Sequence, residues 1–416
     1  MKPQHVRLRS RFFVLAGLGA LIGVVAASAA SAHRTGSATA AAGASDCTKG
    51  DSTGISKSTI LLGHTTVSTG EAGFVGQQDD KGINAVFNAV NAAGGINNRK
   101  IKSLSYDDAY NTAKAQQGAR RLVESDHIFA WVGGDGTPTL LAVMPYLEQH
   151  KVPIVADYGP SDSIGTMANP YVFNIWTNFT QEYEIVTDYV ITHSGAGKAN
   201  APMAFLRYNI SLGADALKGT QAALQRHGLK LTDVFQTPTT NTDWASVAVE
   251  LKKTNAKWVG IQISETQGGQ LLQEMHKIGY FPHVFGESDF VDSSFGKTFG
   301  KDANGFYAAL KIRSASDPYP LWRKVQATYK KQTGSAMTSW NATGYAQALL
   351  AVKALRTMKG PTRECFVEAL QNIRNYDTGI LPPITFGPTV RQGVQAVGVA
   401  QWQNGKLVQV SPFHKF

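Results

Sequence analysis

The stretch Gly133-Gly134-Asp135-Gly136-Thr137-Pro138-Thr139 follows an apolar run and leads into a helical pattern. Pro138 suits a first helical turn and Thr137 suits an N-cap. The backbone N–H groups of Gly136, Thr137 and Thr139 are therefore expected to face outward at the positive end of a helix dipole. Such a turn binds an anion, carboxylate as readily as phosphate. It lacks the Gly-Lys-Ser/Thr of a phosphate loop, and Gly195-Ala196-Gly197-Lys198-Ala199-Asn200 lacks that spacing too. Thr137 either touches a ligand or only caps its helix.

Other reactive side chains form no catalytic pattern. Gly286-Glu287-Ser288-Asp289-Phe290 misses the final glycine of a nucleophile elbow. The ten histidines are scattered without an HExxH, and Cys47 and Cys365 have no metal-ligating neighbour. Asp107-Asp108 are paired carboxylates, but neighbours on an extended segment point opposite ways, and one can serve as a cap for the following helix. Neither an enzyme nor a metal or cofactor is expected.

The N-terminus directs attention outside the cytoplasm. Lys2, Arg7, Arg9 and Arg11 precede an apolar run over 12–27, and Ala30-Ser31-Ala32 supplies a processing site. Residues 1–32 read as a secretory signal cleaved after Ala32, with an uncleaved anchor as the alternative. Gly17, Gly19 and Gly23 interrupt that run, which is short for a bilayer span. Export makes nucleotides scarce ligands. The chain carries a formal charge of +10, but Lys2, Arg7, Arg9, Arg11 and Arg34 all precede the first acidic residue, Asp46. The mature chain is only mildly basic, its cations are dispersed, and no nucleic-acid partner is expected.

Residues 33–54 are small and polar and read as a flexible leader. About 365 residues then remain, more than one core usually serves, so two domains are expected. Cys47 and Cys365 are the whole cysteine complement, and export permits them to join. Lipid attachment at Cys47 is the alternative, although Asp46 stands where a lipobox wants a small residue.

From Thr59 onward, apolar runs alternate with helical patterns. Strands are expected at "TILLGHT", "KIKSLSY", "HIFAWVG" and "VPIVA", and helices over 73–93 and 112–125, the latter with Ala115, Ala119, Leu122 and Val123 on one face. The second half repeats the scheme with "APMAFLRY", "KLTDVFQT", "AKWVGIQI" and "PHVFGES". Thr242 or Asp243 caps one of its helices, and Leu271, Leu272, Met275 and Ile278 line another. The fold class is α/β, with two doubly wound parallel-sheet lobes. Ligands of such sheets bind beyond the carboxyl ends of the strands, so the site is expected in the cleft between the lobes.

The stretches "ILLGHTTVSTGEAGFVG", "NAAGGINNRKIKSLSYDDAYNTAKAQQGARRLVESDHIFAWVGG", "PYLEQHKVPIVA" and "PPITFGPTVRQGVQAVGVAQWQNGKLV" resemble the branched-chain amino acid type of extracellular solute-binding protein. These are the leucine/isoleucine/valine-binding-like receptors of ABC importers, with the type I periplasmic binding fold. The resemblance spans nearly the whole mature chain. Gly94-Gly95 and Asn97-Asn98 within it suit a helix end and a turn. It implies three hinge crossings joining the lobes, near 173–177, 306–311 and 376–383. Lobe one would combine 55–175 with 309–378, and lobe two 176–308 with 379–416.

The resemblance places a hydroxyl for a ligand carboxylate at Thr137, beside Asp135 and Gly136. The next segment, Ala156-Asp157-Tyr158-Gly159-Pro160-Ser161, departs from the small residues and threonine of amino-acid binders. Tyr158 either contacts a larger ligand or packs at the interface, with Gly159 beside it. In lobe two, Ser211 and Leu212 stand where amino-acid binders often present tyrosine. Glu287 and Asp289, with Glu265 as a further choice, are candidates for a ligand ammonium or else ordinary loop acids. Trp176 is either an aromatic wall or buried hinge packing, and Ser68-Thr69-Gly70 is the expected mouth loop.

The function implied is an exported binding protein that closes on a small organic solute and delivers it to a membrane permease, working as a monomer. A ligand-sensing receptor of the same fold is the alternative, and a secreted hydrolase is a third reading.

Overall fold

The computed structural model describes residues 46–70, 72–197 and 201–415. The expected signal, 1–32, and residues 33–45 of the expected leader lie outside the described residues.

The first half runs through β1 (Thr59–Thr66), α1 (Gly73–Ala92), β2 (Lys100–Asp107), α2 (Thr112–Arg120), β3 (Ala130–Val132), α3 (Thr137–Gln149), β4 (Ile154–Val155) and β5 (Val172–Phe173). All five strands pair in parallel, in the order β2-β1-β3-β4-β5. Helices cover both faces, so strands such as β1 are buried almost continuously rather than alternately. One face takes α1, whose Ile83, Val86, Phe87 and Val90 join the main core. The other takes α2 and α3 through Ala115, Ala119, Leu140 and Val143. After α1 the chain reverses through Gly94 (φ 105°), Gly95 (φ 85°), Asn97 (φ 49°) and Asn98 (φ 62°). These left-handed positions account for the residue types of that motif.

The second half contributes α4 (Phe179–His193), β6 (Met203–Tyr208), α5 (Ser211–Arg226), β7 (Asp233–Thr237), α6 (Trp244–Lys253), β8 (Trp258–Gln262), α7 (Glu265–Lys277), β9 (His283–Gly286), α8 (Ser293–Phe299) and β10 (Tyr307–Leu310). The chain then adds α9 (Pro320–Thr333), α10 (Ser339–Thr357) and α11 (Arg363–Gln371) beside the first sheet, and β11 (Ala396–Gln403) and β12 (Lys406–Lys415) to the second. The second sheet has the order β12-β11-β10-β9-β8-β6-β7, parallel except where β11 and β12 turn back at its edge. Asp243 caps α6 by accepting from the Ser246 N–H. Among the described residues no helix is long and apolar enough to cross a membrane.

Three segments connect the lobes. The first follows β5, where Asn174 pairs with Gln392 of the third, and the second leaves β10 at Lys311. The third crossing lies further along the chain than 376–383. Tyr376 and Ile384 pair antiparallel, and Ile380, Leu381, Ile384, Phe386 and Val394 pack into the first lobe's core. The prolines at 382 and 383 sit within that returning loop. The apolar burial of 380–394 therefore moves the expected lobe boundary at Thr378 to the entry of β11.

The expected leader also ends earlier than residue 54. Cys47 forms a disulfide with Cys365 on α11, and the Thr362 hydroxyl donates to Cys47 O at 2.7 Å. Asp51 pairs with Arg363 at 2.7 Å, and its N–H donates to Glu364 at 2.8 Å. These bonds hold 46–51 against the first lobe.

Candidate functional site

The carboxyl ends of both sheets face one cleft. Loops following β1, β3 and β4 bring 67–70, 133–137 and 156–160 to its first wall, and the loop following β9 brings 287–292 to its second. The walls touch in this structure: Tyr158 donates its hydroxyl to Asp289 Oδ1 at 2.7 Å. A second bridge runs from the Ser339 N–H to Asp292 Oδ2 at 3.1 Å. A third links the Ser161 hydroxyl and the Asp162 N–H to Asp215 Oδ2, each at 3.2 Å.

The glycine-rich turn is built differently from expectation. Gly136, at φ 120°, is the N-cap of α3, with no side-chain capping bond. Thr137 is the first helical residue, buried, so its hydroxyl is not the cap. The Gly136 N–H donates to Tyr158 O at 3.0 Å and does not face outward. The Thr139 hydroxyl donates to Gly136 O at 2.9 Å. A Cβ on Gly136 would stand 2.4 Å from the Thr139 hydroxyl oxygen and 3.3 Å from the Tyr110 ring, so this left-handed turn favours glycine.

Asp135 is held by hydrogen bonds within its own lobe. Its Oδ1 accepts from the Thr66 hydroxyl and from the Val67 N–H, tying the first mouth loop to the third strand's loop. Burial pushes its carboxyl up to about 7 against those hydrogen bonds, with Asp108 adding to the rise. The same mouth loop is pinned further along by Asp107. It accepts from the Ser68 and Thr69 N–H groups at 2.9 and 3.2 Å, and its carboxyl is lowered to about 2 by the Thr69 and backbone hydrogen bonds, which outweigh its desolvation. Asp107 and Asp108 thus act as loop braces; Asn111, by accepting from the Ala113 and Lys114 N–H groups, is the cap of α2.

Four further candidates are placed as follows. Leu212 lies in the core formed with Phe179, Tyr183 and Phe205, because α5 turns that face onto the sheet. Ser211 beside it is exposed at the start of α5. Trp176 is 1 % exposed, donates to Ala156 O at 2.8 Å and backs the Tyr158 ring edge-on at 5.2 Å, so it is packing behind the wall. Gly159 is buried where a Cβ would stand 2.8 Å from Leu140, so it serves close packing.

The acids of the second wall are close together. Glu287 is 2 % exposed, with Oε2 lacking a hydrogen-bond partner among the described residues. Burial, reinforced by the charges of Asp289 and Glu182, holds its carboxyl well above the usual range. Glu265 opens α7 and accepts from the Ser294 hydroxyl at 2.8 Å. Burial, with the Asp292 and Asp289 charges, raises it to about 8 despite that bond.

Sequence reasoning missed the pair at the centre. Glu182, fully buried on α4, and Lys311, 5 % exposed at the end of β10, approach to 3.0 Å. Glu182 also accepts from the Ser288 N–H at 3.1 Å, and the Lys311 ammonium lies 4.4 Å from the Tyr158 ring centroid. A signal existed: Glu182 interrupts the apolar stripe of Phe179, Tyr183 and Val186, and Lys311 ends an apolar strand at an expected crossing. Among the described residues no group of His, Cys, Asp and Glu could hold a metal ion.

The chain resembles known proteins over most of its length. It is 24% identical over 351 residues to the Leu/Ile/Val-binding protein homolog 3 of Brucella melitensis, covering 84% of this chain and 93% of that one. A branched-chain amino acid ABC transporter protein from Thermus thermophilus, solved with bound valine, superposes with a TM-score of 0.78 at 17% identity, over 87% of this chain and 98% of that one. A fatty acid ABC transporter substrate-binding protein from Thermomonospora curvata gives 0.77 at 21% identity, over 88% and 94%. The profile described as periplasmic binding protein matches residues 59–406, and the chain belongs to that family of transporter-linked solute-binding proteins.

Proposed function

We propose that the protein is an exported receptor that captures a small organic carboxylate, or its amide, between the lobes and hands it to an ABC permease. The observation that carries this reading is the facing of the two sets of strand-end loops, joined by the Tyr158–Asp289 hydrogen bond. Such a contact gives the lobes a closed state for a ligand to stabilise. Thr137 and the first turn of α3 supply the anion-attracting end of the cleft, and Tyr158 and the second-wall acids the other.

The valine of the Thermus protein and the named fatty acid of the Thermomonospora protein both carry a carboxylate, which supports that common element. Binding without turnover, work as a monomer and release outside the cytoplasm belong to the same reading. A thermal-shift screen of the mature chain against amino acids, aromatic acids, amides and short-chain carboxylates tests it. Stabilising ligands recovered unchanged are the expected result; hits that are all converted to product would make the protein a hydrolase.

A further inference from the structure

Lys311, 5 % exposed, carries its ammonium into the centre of the cleft, where it is ion-paired but makes no hydrogen bond among the described residues. Its ammonium stands 3.0 Å from Glu182 Oε1, 4.4 Å from the centre of the Tyr158 ring and 5.8 Å from that of Phe179. Carboxylate on one side and aromatic faces on the others is the chemistry that recognises an ammonium ion. Here a protein side chain fills that position.

The surrounding acids are each engaged in part: Glu287 keeps Oε2 without a hydrogen-bond partner, and burial favours its neutral form. Glu182 is paired with Lys311 and accepts from Ser288 N–H, and Asp289 accepts the Tyr158 hydroxyl. Glu287, buried beside them, lies within the electrostatic reach of Lys311 as well. An ammonium-bearing ligand would meet Lys311 as a like charge in a water-poor site, where repulsion is poorly screened.

We propose that Lys311 is a specificity-determining residue: a tethered cation that occupies the ammonium position, so that the cleft takes organic carboxylates lacking an ammonium group and rejects zwitterionic amino acids. Resting on the reading of the cleft as a carboxylate site, this adds a repulsive element to the attraction supplied near Thr137. The departure from amino-acid binders at Tyr158 then has a physical counterpart. The aromatic ring that replaces a small residue at position 158 is the surface on which the lysine rests.

Calorimetric titration of the mature chain with matched pairs tests the proposal: L-valine and 3-methylbutanoate, L-leucine and 4-methylpentanoate, L-phenylalanine and 3-phenylpropanoate. The deaminated member of each binding pair is expected to bind at least about tenfold more tightly. Lys311→Met, and the double variant Lys311→Met with Glu182→Gln that leaves no unpaired buried charge, should move that ratio toward the amino acid by about tenfold. A wild-type preference for an amino acid over its deaminated partner, or an unmoved ratio in a folded double variant, overturns the role of Lys311 while leaving the receptor reading intact. Failure of every member of every pair to bind overturns the carboxylate site itself, and the proposal with it.

Discussion

Tyr158 of the first lobe donates its hydroxyl to Asp289 of the second at 2.7 Å, across the cleft that the two sheets share. The ring is held from behind by Trp176 and Trp340, both with centroids 5.2 Å away, so the hydroxyl is aimed before the lobes meet. Hydrogen bonds to charged groups contribute about 1.5–3 kcal/mol net. Tyr158→Phe keeps the ring and removes only this bond, and should shift the ligand-free protein toward open forms by about tenfold or more. Small-angle scattering or an interlobe fluorescence distance reads the change. An unchanged distribution would mean the contact does not govern closure.

Asp135 gives a pH dependence with a definite sign. Burial raises its carboxyl from 3.8 to about 7 in the folded protein. The neutral acid is therefore favoured by folding: its stabilisation is complete below pH 3.8, falls as pH rises, and is lost by about pH 7. The loss is at most about 4 kcal/mol. Asn offers the same carbonyl oxygen to Thr66 and Val67 without ionising. Asp135→Asn should be more stable than wild type at pH 7 and equal to it near pH 4 in urea titrations. Parallel stability profiles across that range would remove Asp135 as the titrating group.

The alternating elements were legible because their signals are local. Strands buried on both faces read as apolar runs, and α1 and α7 expose their stripes as a period of 3.6. The site was only partly legible. The strand-end loops that carry Tyr158, Glu287 and Asp289 could be read from the chain, whereas Glu182 and Lys311 are 129 residues apart and become a pair only when α4 and β10 pack together. Leu212 misled because a loop position says nothing about which way the next helix turns its face. The third crossing was misplaced because Pro382 and Pro383 mark a turn equally well inside a lobe.

Thr137 stands at the first position of α3 with its side chain buried and no capping role. Replacement by valine preserves its volume and removes the hydroxyl. Thr137→Val should weaken a carboxylate found in the thermal-shift screen by about tenfold, the size of one hydrogen bond to a charged group, with melting temperature nearly unchanged. Unaltered affinity would confine Thr137 to packing.

The Cys47–Cys365 disulfide holds the segment before β1 on α11, a link spanning 318 residues of chain. Removing a native disulfide typically costs about 2–5 kcal/mol. Cys47→Ser with Cys365→Ser should lower the melting temperature and expose the amides of 47–51 to hydrogen exchange, while binding at the distant cleft persists. Retained protection of those amides would show that Arg363 and Glu364 suffice to hold the segment.

Glu182 and Lys311 are buried together, so each is costly without the other. Glu182→Gln alone leaves an ammonium that is 5 % exposed without its ion-pair partner, a change that commonly destabilises by about 3–5 kcal/mol. Gln still offers an oxygen to the Ser288 N–H, so the loss is assigned to the charge rather than to that hydrogen bond. Replacing both with Gln and Met removes the unpaired charge and should recover most of the stability. A double-mutant cycle in urea is expected to give a coupling of about 2 kcal/mol or more. Additive single effects would mean that Lys311 finds another partner, and the tethered cation would then no longer be fixed against Tyr158.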